Sequence, residues 1–190
     1  MSGSPEALLA NKSLSRLPVL AHFVVRALRY EEVVNWHRQF FNAEIVFANE
    51  LATFLTYDEE HHRIAVVNRS GSIKEHDENR AGIDHVAFSY ANIEDLLITY
   101  VRLRDGGIRP IRAVNHGPTT SFYYKDPDGN RIELQVDNFA TSEDTRAFFD
   151  SSYYKADISG INFDPDEFLA KVESGADIAD LLRRADVPPQ

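Results

Sequence analysis

The sequence predicts an α+β fold in which two paired βαβββ modules enclose one shared U-shaped groove, followed by a helical C-terminal extension. Two observations lead to this prediction. The order strand, helix, three strands occurs twice between residues 18 and 138, and apolar runs of strand length, bounded by turn residues, mark the strands each time. The two halves also carry identical residues at matching places, which indicates an internal duplication.

The first module covers about residues 18–69. A run rich in β-branched and aromatic residues after Pro18 predicts its first strand, and the acidic residues Glu31 and Glu32 suit the first turn of the helix that follows. The predicted elements are a strand at 19–25, a helix at 31–41 and strands at 44–47, 53–56 and 63–68.

The second module covers about residues 82–138 and follows a polar linker at 69–80. Asn92 is a suitable helix cap, and the pair Gly106-Gly107 is typical of a helix end. The predicted elements are a strand at 82–89, a helix at 93–103 and strands at 108–114, 120–124 and 131–136.

The repeated residues define how the two modules correspond. His22 aligns with His85 at an offset of 63 positions, whereas an offset of 68 aligns the ends of the two modules and makes Ala65 equivalent to Glu133. The identities at the second offset are Phe54 with Phe122, Asp58 with Asp126, Arg63 with Arg131 and Ile64 with Ile132.

Two segments lie outside the repeat. Residues 1–17 are predicted to be a polar N-terminal arm with a short helical stretch. Residues 139–190 form an acidic extension with predicted helices at 144–154, 165–172 and 178–184. We expect this extension to cover a sheet edge or face, or to make a subunit contact.

Composition excludes several classes of function. With 20 basic and 30 acidic residues the net charge is −10, which argues against nucleic acid or an anionic membrane as the main partner. The chain has no cysteine, so it has neither disulfides, thiolate metal sites nor a cysteine nucleophile. No apolar run is long enough to span a bilayer, and the first residues do not resemble a signal peptide. These features predict a cytoplasmic protein.

Three side chains at repeat-equivalent positions could bind a metal. If the modules pack side by side, His22, His85, Ala65 and Glu133 point into one groove, because side chains alternate along a strand. Two histidines and one carboxylate, with positions left vacant, form the ligand set of non-haem Fe(II) enzymes that activate oxygen. Taken singly, each histidine could instead be an ordinary core residue, and Glu133 could face solvent.

Further polar groups could act beside such a site. His61 and His62 are adjacent at a strand entrance, and a histidine with a pKa near 6.5 in the groove could shuttle a proton. His116 lies in a loop, and Tyr123 on the next strand could bond a substrate oxygen. The alternatives are solvated turn histidines and a tyrosine in core packing. Two further histidines are predicted to lie on the surface, His37 and His76.

The sequence resembles the vicinal oxygen chelate superfamily, which includes glyoxalases, bleomycin resistance proteins and extradiol dioxygenases. Within it, the chain is most similar to the small one-domain type I extradiol ring-cleavage dioxygenases that act on substrates such as 2,3-dihydroxybiphenyl. The resemblance covers about residues 18–138 and depends on four stretches, Leu20–Arg26, Glu60–Ala65, Gly82–Phe88 and Ser121–Leu134.

The resemblance implies a set of roles. It implies Fe(II), with Mn(II) as the other candidate metal, held by His22, His85 and Glu133. It implies a catechol that binds through its two neighbouring oxygens, and O2 as the second substrate. Independently of the resemblance, the small size of the protein and the exposed edges of its modules lead us to expect a homo-oligomer. On this template His62 is the acid and base near O2, while His116 and Tyr123 contact the substrate oxygens. The loop of His116 departs in length from that of the larger two-domain enzymes.

Two other functions stay open at this point. The first is a non-oxidative, metal-dependent glyoxalase, isomerase or lyase, against which Ala65 counts, since such sites usually have a fourth ligand or a second carboxylate. The second is a metal-free drug-binding resistance protein, against which the retained ligand triad counts.

Overall fold

The computed structural model describes residues 18–188, so the helical stretch predicted within residues 1–17 lies outside the described part of the chain. The strands are β1 (Phe23–Ala27), β2 (Glu44–Ala48), β3 (Ala52–Thr56), β4 (Ile64–Asn68), β5 (His85–Tyr90), β6 (Arg112–Asn115), β7 (Thr119–Lys125), β8 (Arg131–Asp137) and β9 (Ile161–Asn162). The helices are α1 (Tyr30–Phe41), α2 (Ile93–Asp105), α3 (Ser142–Phe149), α4 (Ser152–Ala156), α5 (Pro165–Glu173) and α6 (Ile178–Leu182).

The strands form two mixed sheets, and the α+β class and the paired modules are confirmed. The first sheet has the spatial order β1-β4-β3-β2, and the second has the order β5-β8-β7-β6-β9. In each module the first strand pairs in parallel with the last, and the remaining pairs are antiparallel. The same strand order in both sheets is the architecture that the sequence repeat predicts.

The registers of the parallel pairs confirm the two offsets. Val24 lies opposite Ala65 in the first sheet, and Ala87 lies opposite Glu133 in the second. The first members of these pairs are 63 positions apart and the second members 68. Ala65 therefore occupies the position in the first module that Glu133 occupies in the second.

The offset of 68 is wrong by one residue for the strand before the hairpin. Phe54 lies opposite Ala65, whereas Tyr123 lies opposite Glu133, so Phe54 is equivalent to Tyr123 rather than to Phe122. The first hairpin is one residue longer than the second, and the chance identity of two phenylalanines conceals this insertion. Burial agrees with the corrected alignment, because Phe122 is completely buried while Phe54 is only partly buried.

Three predicted strands begin three or four residues later in the structure, and one of them, predicted at 82–89, begins at His85. The run 19–25 becomes a strand only at Phe23, because the carbonyl oxygens of Leu20 and Ala21 accept bonds from the Arg63 guanidinium instead of a neighbouring strand. The run 108–114 becomes a strand only at residue 112, after Pro110, which has no N–H for a ladder.

One helix packs on each sheet. Helix α1 has two acidic residues in its first turn and buries one stripe of side chains, while α2 begins at Asn92, whose side chain accepts a bond from the Asp95 N–H. The buried side chains of α1 join the core of the first sheet, and those of α2 join the core of the second. Phe40 of α1 is the exception, because it packs edge-on against Tyr124 in the core of the second sheet.

Both ends of α1 are bound to the second module. The carboxylate of Asp128, from the turn before β8, accepts bonds from the N–H of Leu28 at 2.5 Å and of Arg29 at 3.2 Å. At the other end, Arg102 of α2 donates to two carbonyl oxygens in the last turn of α1, at 2.7 and 2.8 Å. An anion at a helix N-terminus and a cation at its C-terminus are both favourable. These contacts fix the relative position of the two modules.

His37 is buried, so its predicted surface position is wrong. Its side chain has no exposed area and lies between the aromatic rings of Phe23, Trp36 and Phe41. Nδ1 donates to the Val33 carbonyl oxygen at 2.9 Å, while Nε2 is buried without a partner. Position 37 is four residues after Val33 and shares its buried helix face. His76, in contrast, is exposed as expected.

The C-terminal extension covers a sheet edge, which confirms one of the uses expected for it. Its strand β9 pairs antiparallel with β6, so the second sheet gains a fifth strand. The single helix predicted at 144–154 is instead two helices. The first ends at Phe149, and the Ser151 side chain caps the second by accepting from the Tyr154 N–H. Within residues 18–188, no helix is both long and apolar enough to cross a membrane.

Replacing His37 with Phe tests the consequence of its burial. Burial lowers the pKa of His37, against the opposing effects of its Val33 bond and the charge of Asp126. As the pH falls, His37 therefore binds a proton at a higher pH in the unfolded chain than in the folded chain. The free energy of unfolding consequently falls as the pH drops below about 6.5, by at most about 1.4 kcal/mol per pH unit. Urea unfolding at several pH values should show a weaker acid dependence in His37→Phe than in the wild type. The exposed His76→Phe is the control, and an unchanged pH dependence in His37→Phe would contradict the assignment.

Replacing Asp128 with Ala tests the contact between the modules. The variant leaves two N–H groups at the start of α1 without their acceptor, so we expect the free energy of unfolding to fall by about 1–3 kcal/mol. Asp128→Asn keeps an acceptor and should lose less. Urea unfolding measures both, with the exposed Asp137→Ala as control. Equal stability of Asp128→Ala and the control would show that the contact does not hold the modules together.

Candidate active site

His85 and Glu133 form the centre of the candidate site. His85 is the first residue of β5, and Glu133 lies on the neighbouring parallel strand β8, opposite Ala87. Residues 85 and 87 point to the same face of the strand, which brings the two side chains together. His85 Nε2 lies 2.9 Å from Glu133 Oε2, and only 5% of the Glu133 side chain is exposed. A carboxylate so buried needs polar partners.

A chain of hydrogen bonds supports this pair on both sides. The Tyr123 hydroxyl donates to Glu133 Oε1 at 2.9 Å, and His116 Nε2 lies 3.0 Å from the same hydroxyl oxygen. On the other side, His85 Nδ1 lies 2.8 Å from the carboxylate of Asp84. Asp84 therefore fixes the orientation of the His85 ring and directs its Nε2 towards Glu133. Histidines that bind metals are usually held by a carboxylate in this way.

Burial sets the protonation of the two groups behind Glu133. Burial, followed by the charge of Glu133, raises the pKa of Tyr123 above its ordinary value of 10, so the phenol keeps its proton at neutral pH. Burial lowers the pKa of His116 below 6.5, although the charge of Glu133 opposes this effect. Near neutral pH the site therefore has a protonated phenol and a neutral imidazole beside the carboxylate.

A second group of aromatic side chains lies in the first module. The rings of His22 and His62 pack together with their centroids 4.3 Å apart. The ring of Phe54 also stacks on His62, with a centroid distance of 4.8 Å. Nδ1 of His61 lies 2.6 Å from Nδ1 of His62. Burial, and then the electrostatic effects of His22 and His61, lower the pKa of His62. The His62 imidazole is therefore neutral near pH 7.

The two groups stay apart, and one cavity touches one histidine of each. His22 and His85 both line this cavity of about 780 Å³, whose walls come from both modules and from the linker, whereas Glu133, Tyr123 and His62 are not among its lining residues. Among residues 18–188, no three His, Asp or Glu side chains are grouped closely enough to hold a metal ion. The structure thus brings together His85, Glu133, Tyr123 and His116, and separately His22 with His62. His22 precedes β1 by one residue, outside the strand ladder.

The donor types fit a divalent transition metal. An imidazole nitrogen and a carboxylate oxygen already meet at His85 and Glu133, and His22 lines the same cavity as His85. Ala65 is buried at the position equivalent to Glu133 and supplies no ligand atom.

Two residues of the site escaped the sequence analysis. Asp84 holds the ring of His85, and its place directly before a candidate ligand was a signal that could have identified it. Phe54 supports His62, and it occupies the place that Tyr123 has in the second module. The corrected offset would have revealed that correspondence.

Comparison with protein families and curated proteins gives consistent matches. The family model for the "Glyoxalase/Bleomycin resistance protein/Dioxygenase superfamily" matches residues 19–134. Biphenyl-2,3-diol 1,2-dioxygenase 3 of Rhodococcus globerulus is 39% identical over 169 residues, which cover 88% of this chain and 89% of that protein. Biphenyl-2,3-diol 1,2-dioxygenase 2 of the same organism is 36% identical over 152 residues, or 80% of each chain.

Solved structures agree with the fold. A glyoxylase/bleomycin resistance protein/dioxygenase domain from Frankia sp. EAN1pec has a TM-score of 0.53 at 17% identity, covering 64% of this chain and 99% of that one. A lactoylglutathione lyase from Agrobacterium tumefaciens has a TM-score of 0.50 at 16% identity, covering 66% and 96%. At these identities the two structures support the architecture alone.

Proposed function

The chain belongs to the glyoxalase/bleomycin resistance protein/dioxygenase superfamily, and from this we propose that it is an extradiol dioxygenase, which opens the ring of a catechol with O2. The observation that carries the proposal is the approach of His85 Nε2 to Glu133 Oε2, with Tyr123 and His116 bonded behind the carboxylate. The relatives at 36–39% identity, which are biphenyl-2,3-diol 1,2-dioxygenases, support the same activity.

We propose Fe(II) as the metal, with Mn(II) as the alternative, and His22, His85 and Glu133 as the residues that would hold it. Bound by these residues, such a metal would supply Lewis acidity towards the catechol oxygens and a redox centre that relieves the spin barrier to reaction with O2. Asp84 keeps the His85 ring in the orientation that ligation requires.

The remaining polar residues have roles in binding and proton transfer. His62, whose pKa is lowered, is neutral at pH 7 and can accept a proton from a catechol hydroxyl. Tyr123 and His116 form a bonded pair that can hold the second substrate oxygen, since the phenol stays protonated. Phe54 stacks on His62 and restricts the position of its ring.

The cavity suits a substrate related to biphenyl-2,3-diol. Its volume of about 780 Å³ lies within the usual range for small-molecule sites, and its walls include the apolar side chains of Leu20, Phe23 and Ile83. These side chains can contact an aromatic ring while His22 and His85 face its oxygens.

We also propose that the protein is a cytoplasmic homo-oligomer. The absence of cysteine suits a reducing compartment. The edge strand β2 carries Ile45, Val46 and Phe47, each exposed by 44–48%, and an apolar edge of this kind is commonly covered by association.

The test of the activity is an aerobic panel of catechols. The protein is loaded with Fe(II) or Mn(II) without oxygen, its metal content is measured, and 2,3-dihydroxybiphenyl or 3-methylcatechol is added in air. Oxygen uptake together with a yellow ring-opened product is the expected result, with metal-free protein as control. Metal-loaded protein that consumes no oxygen with any catechol would contradict the proposal, and isomerisation without oxygen uptake would favour the non-oxidative members of the superfamily.

Replacing His62 with Phe tests the proton-transfer role. The aromatic ring keeps the packing between His22 and Phe54 but cannot accept a proton, so binding of metal and catechol should persist while kcat falls by about 10²–10⁴-fold. Turnover and substrate binding are measured in parallel. Glu59→Gln is the comparison, since Glu59 is exposed in the same turn, and it should stay close to the wild type. Unchanged turnover in His62→Phe would remove His62 from the role of base.

A further inference from the structure

The C-terminal extension contacts the loop that carries His116. We define the His116 loop as residues 115–118, which comprise the last residue of β6 and the three residues that lead to β7. Asn115 is buried, and its Nδ2 donates to the Leu182 carbonyl oxygen at 2.8 Å, in the last helix of the extension. Its Oδ1 accepts from the Gly117 N–H at 2.8 Å. The Asn115 side chain thus forms one hydrogen bond within the loop and another to the extension.

Two glycines allow a close approach between the loop and the extension. Gly160 of the extension has a φ of +80°, and a Cβ there would lie 2.6 Å from the Asn115 carbonyl oxygen and 2.8 Å from the His116 Cα. On the other side of the loop, a Cβ at Gly117 would lie 2.0 Å from Phe148 Cε1 in α3. The loop therefore lies between Gly160 and Phe148 with no space for a side chain on either surface.

Arg184 links the segments of the extension that surround the loop. Its side chain has no exposed area, although it carries a full charge. Nη1 donates to the Asp157 carbonyl oxygen at 2.7 Å, and Nη2 donates to that of Tyr153 at 2.8 Å. Both oxygens of the Asp186 carboxylate accept from the guanidinium at 2.7 Å. A buried cation with all these partners satisfied is rigid.

The same guanidinium reaches the loop itself. Its Nη1 lies 3.5 Å from the His116 carbonyl oxygen, and its carbon atom lies 5.9 Å above the ring of Phe148, the residue that packs on Gly117. The backbone of Ile158, between the segments that Arg184 joins, acts on the His116 ring and partly opposes the effect of burial on its pKa. Arg184 is thus the centre of the contacts around His116.

We propose that the extension is a clamp that positions His116 against Tyr123, with Arg184 as its central positioning residue. The proposal rests on the proposed function, because it gives His116 a part in holding the substrate oxygen. The His116 ring depends on a 3.0 Å bond to the Tyr123 hydroxyl, which in turn bonds Glu133 at 2.9 Å. A shift of about 1 Å in such a group can reduce turnover by about 100-fold.

A double-mutant cycle tests the clamp. Arg184→Lys keeps the charge but cannot reproduce the planar set of bonds, so kcat on 2,3-dihydroxybiphenyl should fall by about 10–100-fold while iron content stays at the wild-type level. In the background of His116→Gln the same change should have no further effect, because the residue that it positions is absent. Arg183→Lys is the matched control, since the bonds of the Arg183 side chain within residues 18–188 go to Val187 and Asp180 and not to the His116 loop.

A second pair of variants covers the case in which Arg184→Lys does not fold, as judged by thermal unfolding. Phe148→Leu loosens the contact with Gly117, and Phe149→Leu, in the next and more exposed position of α3, is its control. Only Phe148→Leu should lower kcat, and its effect should also vanish in the His116→Gln background. Effects that add to that of His116→Gln, or a wild-type kcat in Phe148→Leu, would overturn the clamp.

A spectroscopic measurement separates the clamp from the proposed activity. With ¹⁵N-labelled histidine, the ring signals of His116, assigned by their loss in His116→Gln, should shift in Arg184→Lys or Phe148→Leu and stay fixed in the controls. This result is independent of turnover. If the wild type cleaves no catechol, the proposed function fails while the ring signals still decide the clamp, and unchanged ring signals would overturn the clamp alone.

Discussion

The geometry of the site depends on the contact between Asp128 and the start of α1. The residues proposed to act together come from two modules whose sheets share no strand pairing in the described part of the chain. A carboxylate bound to two backbone N–H groups, with an arginine at the opposite end of the same helix, supplies the fixed relation that the sheets do not. The turn that carries Asp128 leads directly into β8 and Glu133, so one short segment joins the modules and also places the carboxylate of the site.

The two modules have the same scaffold and different chemistry. In the first module, Ala65 occupies the position equivalent to Glu133, and Phe54 occupies the position equivalent to Tyr123. Where the second module has a bonded tyrosine and carboxylate, the first has a phenyl ring stacked on His62. One half therefore presents a carboxylate and a phenol, and the other presents an imidazole on an apolar support. A catechol and O2 placed between them would meet different groups on each side.

Much of the fold and part of the site could be predicted from the sequence, because the duplication made each half a guide to the other. The order of strands along the chain followed from the repeat. Side-chain alternation predicted that His22, His85 and Glu133 converge, and the structure brings together His85 and Glu133 while His22 packs on His62. His37 could not be placed, since its helix face is covered by rings from several elements, and burial there depends on tertiary packing. The extension was beyond the repeat, so neither the pairing of β9 with β6 nor the contacts of Arg184 had a counterpart to indicate them.

The position of Arg184 in the chain has a consequence for how the protein is made. Domains generally fold from the N-terminus during synthesis. A ribosome delivers His22, His85, Glu133 and the whole His116 loop well before it delivers Arg184, so both sheets can form while the loop still lacks its outer support. Under the proposed clamp, the His116 loop therefore gains its outer support after the rest of the site has formed, and a nascent chain that lacks Arg184 would turn over more slowly than one that has it.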